Sequence, residues 1–399
     1  MEQDSLSLKR LVRVIFPTHT PEPFFMLTSE IRQSEFPSLE GRIYLNTAAE
    51  GIPPLSAKSA LDEYFESKTA GMDGRDSLFQ QFDESRKSAA GVFGLSPDEI
   101  SFCSSTSEAY NLLATSISFS SGDNVIVSDL DFPAGATPWL RLPASPQVRL
   151  WKHRDGVLHL EDLETLIDEK TRLVQVSLVS FLTGYRVEWA PLRDLVRQRN
   201  SGSILAVDVT QAAGRVVLDC LDADCIFASS YKWLLGSHGG CVVAVPNHAK
   251  RKVTAQAGGW YNLANAFDED RFTRAESLPG AASFAVGMPS FPAIYTLKAG
   301  MDLLNETGVA AIADHADQLV TRLHEGLRDL GIRTMSPHQP GNSSGIVSFQ
   351  SDNDEALSKA LHARNIHIMH QAGRLRVSIH GYNQMSDIDA TLKALSESR

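Results

Sequence analysis

A carboxylate and a lysine follow two apolar runs of the sequence, and this pair has the clearest chemical potential. Asp208 ends the run 203–208, and Lys232 comes shortly after the run 225–229. Ligands of open α/β sheets bind beyond the carboxyl ends of the strands, so both side chains are predicted to face one crevice. Spacing alone leaves two interpretations open. One is a structural ion pair, and the other is a Schiff-base lysine with a carboxylate that bonds the pyridinium nitrogen of a cofactor.

A group of small hydroxyl residues follows the predicted strand 99–103 and begins a predicted helix. The backbone N–H groups and the helix dipole at Thr106 and Ser107 would attract an anion such as a phosphate. A capping box made by Ser105 and Glu108 would also begin a helix here, with no ligand involved. The two interpretations are compatible, because a capped N-terminus of small residues is also what a phosphate requires.

Two arginines alternate with apolar residues in the segment 373–380. Strand alternation places Arg374 and Arg376 on one face, and Leu375 and Val377 on the other. Exposed arginines on a polar strand face are usually solvated. A guanidinium is also suited to binding a carboxylate through two hydrogen bonds, so a ligand-binding role stays open.

Short apolar runs alternate with amphipathic stretches from Gly41 onward, which predicts strand-helix-strand units and a mostly parallel sheet. The predicted strands are 99–103, 124–128, 147–151, 173–178, 203–208, 225–229 and 241–246, and the predicted helices between them are 56–69, 77–93, 107–117, 160–167 and 191–199. After about Pro289 the pattern becomes helical over 293–306 and 308–330. Shorter elements follow at 345–350, 354–364, 375–380 and 385–396, which predicts a second, smaller α+β lobe.

Composition excludes several classes of protein. The 399 residues are 43% hydrophobic and 21% charged, which is typical of a globular protein. The formal charge of −11 argues against binding to nucleic acid, which needs a basic surface. Apolar runs are far shorter than the roughly 20 residues that cross a bilayer, so no membrane association is expected. The four cysteines lie mostly in apolar stretches, which favours reduced thiols and a cytoplasmic location.

Two motifs in this order, Asp-x-x-Gln and then Ser-x-Tyr-Lys, resemble those of a known family of enzymes. These residues are Asp208, Gln211, Ser229, Tyr231 and Lys232. The chain from about 41 to 395 is similar to the fold type I pyridoxal-phosphate enzymes of the class V aminotransferase and cysteine desulfurase family, which includes selenocysteine lyases and isopenicillin N epimerases. The resemblance implies an α/β fold. It consists of a large domain with a mostly parallel seven-stranded sheet flanked by helices, and a smaller C-terminal α+β domain.

The resemblance also implies which residues bind the cofactor, pyridoxal 5'-phosphate. Lys232 would form the Schiff base, Asp208 would bond the pyridine nitrogen, and Gln211 would bond the ring hydroxyl. The phosphate would be held by four residues from two motifs, Thr106, Ser107, Ser229 and Tyr231.

On the substrate side, the resemblance makes Arg376 the expected clamp for the α-carboxylate, with Arg374 as the alternative. Phe132 stands where desulfurases have a histidine on the cofactor ring, and it can stack but cannot move a proton. Phe181 stands where desulfurases have an asparagine, so this side of the pocket differs from theirs.

The segment with Met288 matches a Gly-Thr-Pro stretch that reaches the neighbouring subunit, which implies a homodimer with composite sites. Met288 itself cannot donate the hydrogen bond of the threonine. No cysteine follows Cys241, which argues against a desulfurase that forms a persulfide. The spacing of His362, His367 and His370 fits no metal site, so no metal is expected.

These observations predict three segments: an N-terminal extension packing on the small domain (1–40), a large cofactor-binding domain (41–288) and a small C-terminal domain (289–399). The expected activity is that of an aminotransferase-like enzyme acting at Cα of a small amino acid. A C–S or C–Se β-lyase and an epimerase are alternatives within the family. A cofactor-binding protein without turnover, and an unrelated α/β protein whose Asp208 and Lys232 merely pair, are alternatives outside it.

Overall fold

The computed structural model describes residues 29–143, 146–338 and 342–398 of the chain. Its strands, numbered in chain order, are β1 (Ile43–Tyr44), β2 (Ile100–Cys103), β3 (Asn124–Ser128), β4 (Gln147–Trp151), β5 (Thr171–Ser177), β6 (Ile204–Asp208), β7 (Cys225–Ser229), β8 (Cys241–Ala244), β9 (Ile346–Phe349), β10 (Ile366–His367), β11 (Met369–Gln371) and β12 (Arg374–Ser378). Its α-helices are α1 (Ser29–Glu35), α2 (Leu55–Thr69), α3 (Arg75–Phe93), α4 (Thr106–Thr115), α5 (Pro133–Ala136), α6 (Leu160–Leu166), α7 (Trp189–Arg199), α8 (Phe291–Thr307), α9 (Val309–Asp329), α10 (Asp354–Ala363) and α11 (Met385–Glu397).

A seven-stranded sheet with the order β2-β8-β7-β6-β5-β3-β4 forms the centre of the larger part. Strands β7, β6, β5, β3 and β4 pair in parallel, and β8 runs antiparallel to both β7 and β2. The predicted mostly parallel seven-stranded sheet is therefore confirmed.

Both faces of this sheet are covered, which explains the continuous apolar runs of its strands. Every residue of β6 and β7 is buried. Along β6, Leu205 and Val207 belong to one hydrophobic core, whereas Ile204 and Ala206 belong to the core on the opposite face. This alternation leaves the carboxyl ends of the strands as the place where polar side chains can emerge.

A smaller antiparallel sheet, with the order β11-β12-β9, lies in the C-terminal part. Its apolar face includes Leu375, Val377 and Val347, which pack with residues of α9, α10 and α11 in a third core. Leu45 joins this core, and the neighbouring β1 pairs with β10 in parallel. The predicted smaller α+β lobe is thus present, and the chain near residue 45 is attached to it.

The domain boundary at 288 stays a prediction. Helix α8, which follows this boundary, packs against α2 and α3 of the larger part. Residues 1–28, most of the predicted N-terminal extension, lie outside the described residues. The described end of that segment does contact the C-terminal part. Arg32 Nε donates to the carbonyl oxygen of Tyr382 at 2.8 Å, and the rings of Phe36 and Tyr382 lie 5.1 Å apart.

Candidate active site

Asp208 and Lys232 lie at one end of the large sheet, as the sequence predicts. Asp208 ends β6, and Lys232 follows β7, the neighbouring parallel strand. The two side chains perturb each other's pKa, yet no ion pair within 4.0 Å joins them in the described chain. The structural ion pair, one of the two interpretations of the spacing, is therefore wrong. The two opposite charges therefore interact without direct contact.

Lys232 is a buried residue that lies near two aromatic rings. Its side chain is only 8% exposed, and no hydrogen bond or ion pair of its Nζ is found within the described residues. Its Nζ lies 5.4 Å from the ring centre of Phe132 and 5.5 Å from that of Tyr231. Burial, opposed by the charge of Asp208 and assisted by that of Arg376, lowers the pKa of Lys232 to about 8. About one tenth of this amine is therefore uncharged at pH 7, far more than for an exposed lysine.

Asp208 is also buried, and it is held by the turn that follows its strand. The backbone N–H of Thr210 donates to Asp208 Oδ1 at 2.8 Å. Burial raises the pKa of Asp208, while the hydrogen bonds from Thr210 and the charge of Lys232 oppose this rise. A positively charged partner would stabilise the ionised carboxylate at this position.

Hydroxyl groups from three elements meet at the N-terminus of α4. Thr106 Oγ1 and Ser229 Oγ lie 3.3 Å apart, and the backbone N–H of Ser229 donates to Thr210 Oγ1 at 3.1 Å. Ser105 caps the helix by accepting from the backbone N–H of Glu108 at 3.1 Å. The Glu108 carboxylate accepts from the backbone N–H of Ser104 at 2.7 Å and not from Ser105, so only half of the predicted capping box forms. Ser107 is exposed at the same helix end. The capped helix end and the three hydroxyls give an anion-binding arrangement beside Lys232 and Asp208.

Gln211 is fixed at both ends of its amide. Its Nε2 donates to the carbonyl oxygen of Ala48 at 3.0 Å, and its Oε1 accepts from Trp233 Nε1 at 2.7 Å. His380 stacks on Trp233 and donates from Nε2 to the Trp233 carbonyl at 3.1 Å. Burial lowers the pKa of His380 to about 4, so it stays neutral and positions the tryptophan.

Tyr231 is held by three residues that the sequence analysis did not single out, His238, Glu50 and Gly51. Its ring stacks on His238 with centroids 4.6 Å apart, and His238 Nε2 lies 3.2 Å from Glu50 Oε1. The backbone N–H of Gly51 donates to the Tyr231 carbonyl at 2.8 Å. A Cβ on Gly51 would lie 2.0 Å from the carbonyl oxygen of Lys232, so only glycine allows this close approach.

Phe132 and Phe181 form an aromatic wall of the pocket. Their rings meet edge to face with centroids 5.1 Å apart, and Phe132 remains 46% exposed. The turn before Phe132 is held by Asp131, which accepts from the backbone N–H groups of Ser128 at 2.8 Å and Ser177 at 2.6 Å. Burial raises the pKa of Asp131 to about 6.

Arg374 and Arg376 are buried on one face of β12. They are 3% and 2% exposed, so the interpretation as a solvated strand face is wrong. Arg376 Nη1 donates to the carbonyl oxygen of Phe181 at 2.8 Å, and the Arg374 guanidinium lies 5.9 Å from the Phe181 ring centre. Burial, together with the charge of Arg374, lowers the pKa of Arg376 to about 10. The wall residue Phe181 therefore connects both arginines to the Lys232 pocket.

The structure thus gathers the predicted residues in one region. Lys232 lies near Phe132, which contacts Phe181, and Phe181 contacts both arginines. The sequence analysis missed the positioning residues Glu50, Gly51, Asp131, Thr210 and His238. Thr210 lies inside the Asp-x-x-Gln motif and Asp131 precedes Phe132, so local signals existed for both. Glu50 and Gly51 carry no local signal, because only the fold brings them to Tyr231.

A family model described as aminotransferase class-V matches residues 43–391. The chain belongs to this family of class-V aminotransferases. The match confirms the resemblance inferred from the Asp-x-x-Gln and Ser-x-Tyr-Lys motifs, and it places the chain among pyridoxal-phosphate enzymes.

Relatives of this class-V chain cover nearly its whole length. YcbU of Bacillus subtilis, an uncharacterized aminotransferase, is 24% identical over 372 residues, which cover 93% of this chain and 96% of YcbU. A probable cysteine desulfurase of Methanothermobacter thermautotrophicus is 27% identical over 94% of this chain and 98% of its own. A solved variant of the lyase C-DES, with glycine covalently linked to its pyridoxal-phosphate cofactor, matches with a TM-score of 0.83 and 20% identity, over 92% of this chain and 99% of that one.

The structural likeness confirms fold type I, and enzymes of the class-V family bind pyridoxal phosphate and act on amino acids. The roles of individual residues in this chain stay predictions. Within the described ranges, no cluster of three or more metal-ligating side chains is found, and no helix is long and apolar enough to cross a membrane. The cytoplasmic location stays a prediction.

Proposed function

We propose that this chain is a pyridoxal-phosphate enzyme that transfers the amino group of a small amino acid. The observation that carries the proposal is the pairing of buried Asp208 with buried Lys232 at the ends of neighbouring strands. Two buried, oppositely charged groups interact there without an ion pair within the described residues. Such a pair is costly unless each charge finds a partner, and a pyridinium ring with an aldehyde offers a partner to both.

The residues present fit this cofactor. Lys232 would attach to the aldehyde, Asp208 would pair with the pyridinium nitrogen, and Gln211 would bond the ring hydroxyl. The phosphate would rest on the N-terminus of α4, and Phe132 would cover the ring. The residues assigned to the phosphate are Thr106, Ser107, Ser229 and Tyr231.

Bound pyridoxal phosphate supplies an electron sink for the bonds at Cα of an amino acid. Arg376 would hold the α-carboxylate and so fix Cα relative to Lys232 Nζ. The lowered pKa of Lys232 leaves its amine able to accept the Cα proton near neutral pH. Asp208 would hold positive charge at the far end of the site, where burial strengthens the interaction.

The number of proton carriers favours amino transfer over epimerisation. Phe132 and Phe181 cannot move a proton, which leaves Lys232 as the base and the neighbouring phenol of Tyr231, whose pKa is raised, as an acid. One base can move a proton between two atoms on the same face of a substrate. Inversion at Cα needs proton carriers on two faces, which this wall does not provide.

A β-lyase is a second candidate, and Tyr231 favours it. Its ring lies 5.5 Å from Lys232 Nζ, and burial together with Glu50 and Asp208 raises the pKa of the phenol. A phenol that stays protonated can donate a proton to a leaving group at Cβ. Since no cysteine follows Cys241, the sulfur or selenium would leave without forming a persulfide on that part of the chain.

Visible absorption of the purified protein incubated with pyridoxal phosphate tests this proposal. We expect a yellow band that is lost in Lys232→Ala and retained in the control Lys359→Ala, whose lysine is exposed. Amino acids should bleach the band, and a 2-oxo acid should restore it. Release of pyruvate and ammonia without restoration would select the lyase. A band that amino acids leave unchanged would favour a binding protein without turnover, and a colourless protein would overturn the proposal.

We also propose that the protein works as a homodimer with composite sites. The segment 287–290 lines the same cavity, of about 280 Å³, as Ser104 at the start of α4. Met288 in this segment is exposed, as are Phe267 and Phe272 in the preceding stretch. Exposed apolar residues of this kind are typical of subunit contacts. Light scattering after size-exclusion chromatography should give twice the monomer mass, and a monomer would contradict the proposal.

A further inference from the structure

Arg374 and Arg376 are two buried cations with no acidic partner. Neither forms an ion pair with any described carboxylate, although the chain as a whole is acidic. The Nε of each guanidinium is buried and has no hydrogen-bond partner. Arg374 Nη1 donates a long hydrogen bond, 3.5 Å, to the carbonyl oxygen of Gln371. Buried guanidiniums in this condition are costly unless anions bind them.

The two arginines contact different parts of Phe181. The charge of Arg376 lowers the pKa of Lys232, whereas the charge of Arg374 lowers the pKa of Arg376. Both flank Phe181, with Arg376 on its carbonyl oxygen and Arg374 over its ring. The strand rise of about 3.3 Å per residue separates the two Cα atoms by roughly 7 Å. A ligand bound to both would therefore place one anion near Lys232 and a second anion a few bonds farther away.

We propose that the amino acid substrate carries a second anionic group on its side chain, held by Arg374 while Arg376 holds the α-carboxylate. This inference rests on the proposed function and names the substrate class of the same site. Two unpaired cations match two anions, and a monocarboxylic amino acid would leave one buried guanidinium unsatisfied. A carboxylate or a sulfinate a few bonds from Cα has the required charge, and the Phe181 ring beside Arg374 offers an apolar surface to the intervening methylene groups.

A shared carboxylate is the competing arrangement, in which Arg374 and Arg376 both bind the α-carboxylate. It predicts that loss of Arg374 weakens the binding of every amino acid equally. A second anion predicts instead that only ligands with two anions lose affinity. The two arrangements therefore differ in a measurable selectivity.

The first experiment uses the wild-type protein incubated with pyridoxal phosphate, and it compares succinate with succinamate by titration calorimetry. The two ligands have nearly the same size and differ in the charge of one end. We expect succinate to bind at least about tenfold more tightly, since hydrogen bonds to charged groups are the stronger ones. Equal affinities would overturn the inference, and this comparison requires no variant to fold.

The second experiment repeats the comparison in Arg374→Gln and Arg374→Lys, with Arg328→Gln on the exposed surface of α9 as the matched control. We expect Arg374→Gln to lose the succinate preference while its affinity for succinamate changes less than about threefold. Arg374→Lys should keep part of the preference, and the control should keep all of it. Equal losses for both ligands in Arg374→Gln would establish the shared carboxylate and overturn the inference.

The third experiment separates this inference from the proposed function. Aspartate and asparagine, and glutamate and glutamine, are titrated against the yellow band of the wild-type protein. A faster or tighter change with the acidic member of each pair supports both ideas. If the band responds best to neutral amino acids, the proposed function is retained and the inference of a second anionic group is overturned. A colourless protein that still prefers succinate overturns the function and leaves a paired anion site.

Discussion

At the scale of the residue, the site contains buried charged side chains that form no ion pair with another described side chain. Lys232, Arg374 and Arg376 are all cationic and buried, and none has a carboxylate within ion-pair distance among the described residues. Asp208 interacts with Lys232 only at a distance. Perturbed, unpaired groups in a crevice mark functional sites more often than structural networks. Under the proposed function, each of them would bind one part of the cofactor or of its amino acid.

The pH dependence of cofactor attachment follows from the pKa of Lys232. Burial lowers this pKa from 10.5 to about 8, and only the uncharged amine reacts with an aldehyde. We expect the rate of attachment to fall about tenfold for each pH unit below 8 and to level off above it. Stopped-flow absorbance of the cofactor-free protein mixed with pyridoxal phosphate measures this rate. A rate that rises steadily to pH 10 would contradict the lowered pKa.

Substitution Asp208→Asn is expected to separate activity from stability. The amide cannot stabilise a positively charged ring nitrogen, so kcat should fall by about 100-fold to 1000-fold. Because burial raises the pKa of Asp208, its charged form is disfavoured in the folded cofactor-free protein. The neutral amide should therefore not lower the free energy of unfolding, measured with urea. A decrease in stability without a loss of kcat would assign Asp208 a structural role instead.

At the scale of the element, the site is built from the ends of strands and the turns that follow them. Strands β6 and β7 deliver Asp208 and Ser229, and the N-terminus of α4 lies beside them. Strand β12 brings the arginines from the smaller sheet, and the segment after β1 supplies Gly51. Loops held by a rigid sheet position their side chains well, which suits a reaction sensitive to orientation.

Substitution Gly51→Ala tests the contact between the segment after β1 and the lysine. The new Cβ would lie 2.0 Å from the Lys232 carbonyl oxygen, so the backbone at Lys232 must shift. We expect a loss of about 1–3 kcal/mol in the free energy of unfolding and weaker cofactor binding. Thermal unfolding and absorbance titration measure the two effects. Gly258→Ala is the control, because its Cβ would meet no atom within 4 Å and its effect should be negligible.

At the scale of the whole molecule, the larger and smaller parts meet around the site. Arg376 belongs to β12 of the small sheet and donates to Phe181 of the larger part. Leu45 belongs to the third core with α9, α10 and α11, although it lies early in the chain. The substrate side and the lysine side of the pocket therefore depend on how these two parts pack.

Substitution Leu45→Ala tests that packing. Leu45 is fully buried in the small core, and a buried leucine truncated to alanine typically costs about 2–5 kcal/mol. We expect urea unfolding to show a loss in this range, accompanied by weaker substrate binding. Leu61→Ala on the exposed side of α2 should change stability by less than about 0.5 kcal/mol. Equal effects of the two substitutions would show that Leu45 does not join the parts.

The sequence by itself predicted the strands of the large sheet and the residues proposed for the site. Alternation and apolar runs predicted every strand of the large sheet to within a few residues, because burial on both faces demands continuous apolar side chains. The Asp-x-x-Gln and Ser-x-Tyr-Lys motifs identified Asp208 and Lys232, because both motifs are local and lie at strand ends.

Only the tertiary structure decided how the charges of the site are paired. Whether Asp208 and Lys232 form an ion pair, and whether Arg374 and Arg376 are solvated, depends on groups that are distant in the chain. Glu50 and Gly51 reach Tyr231 only after β1 and the strands of the large sheet are in place. Charge pairing and burial are properties of three-dimensional packing, and local sequence patterns do not contain them.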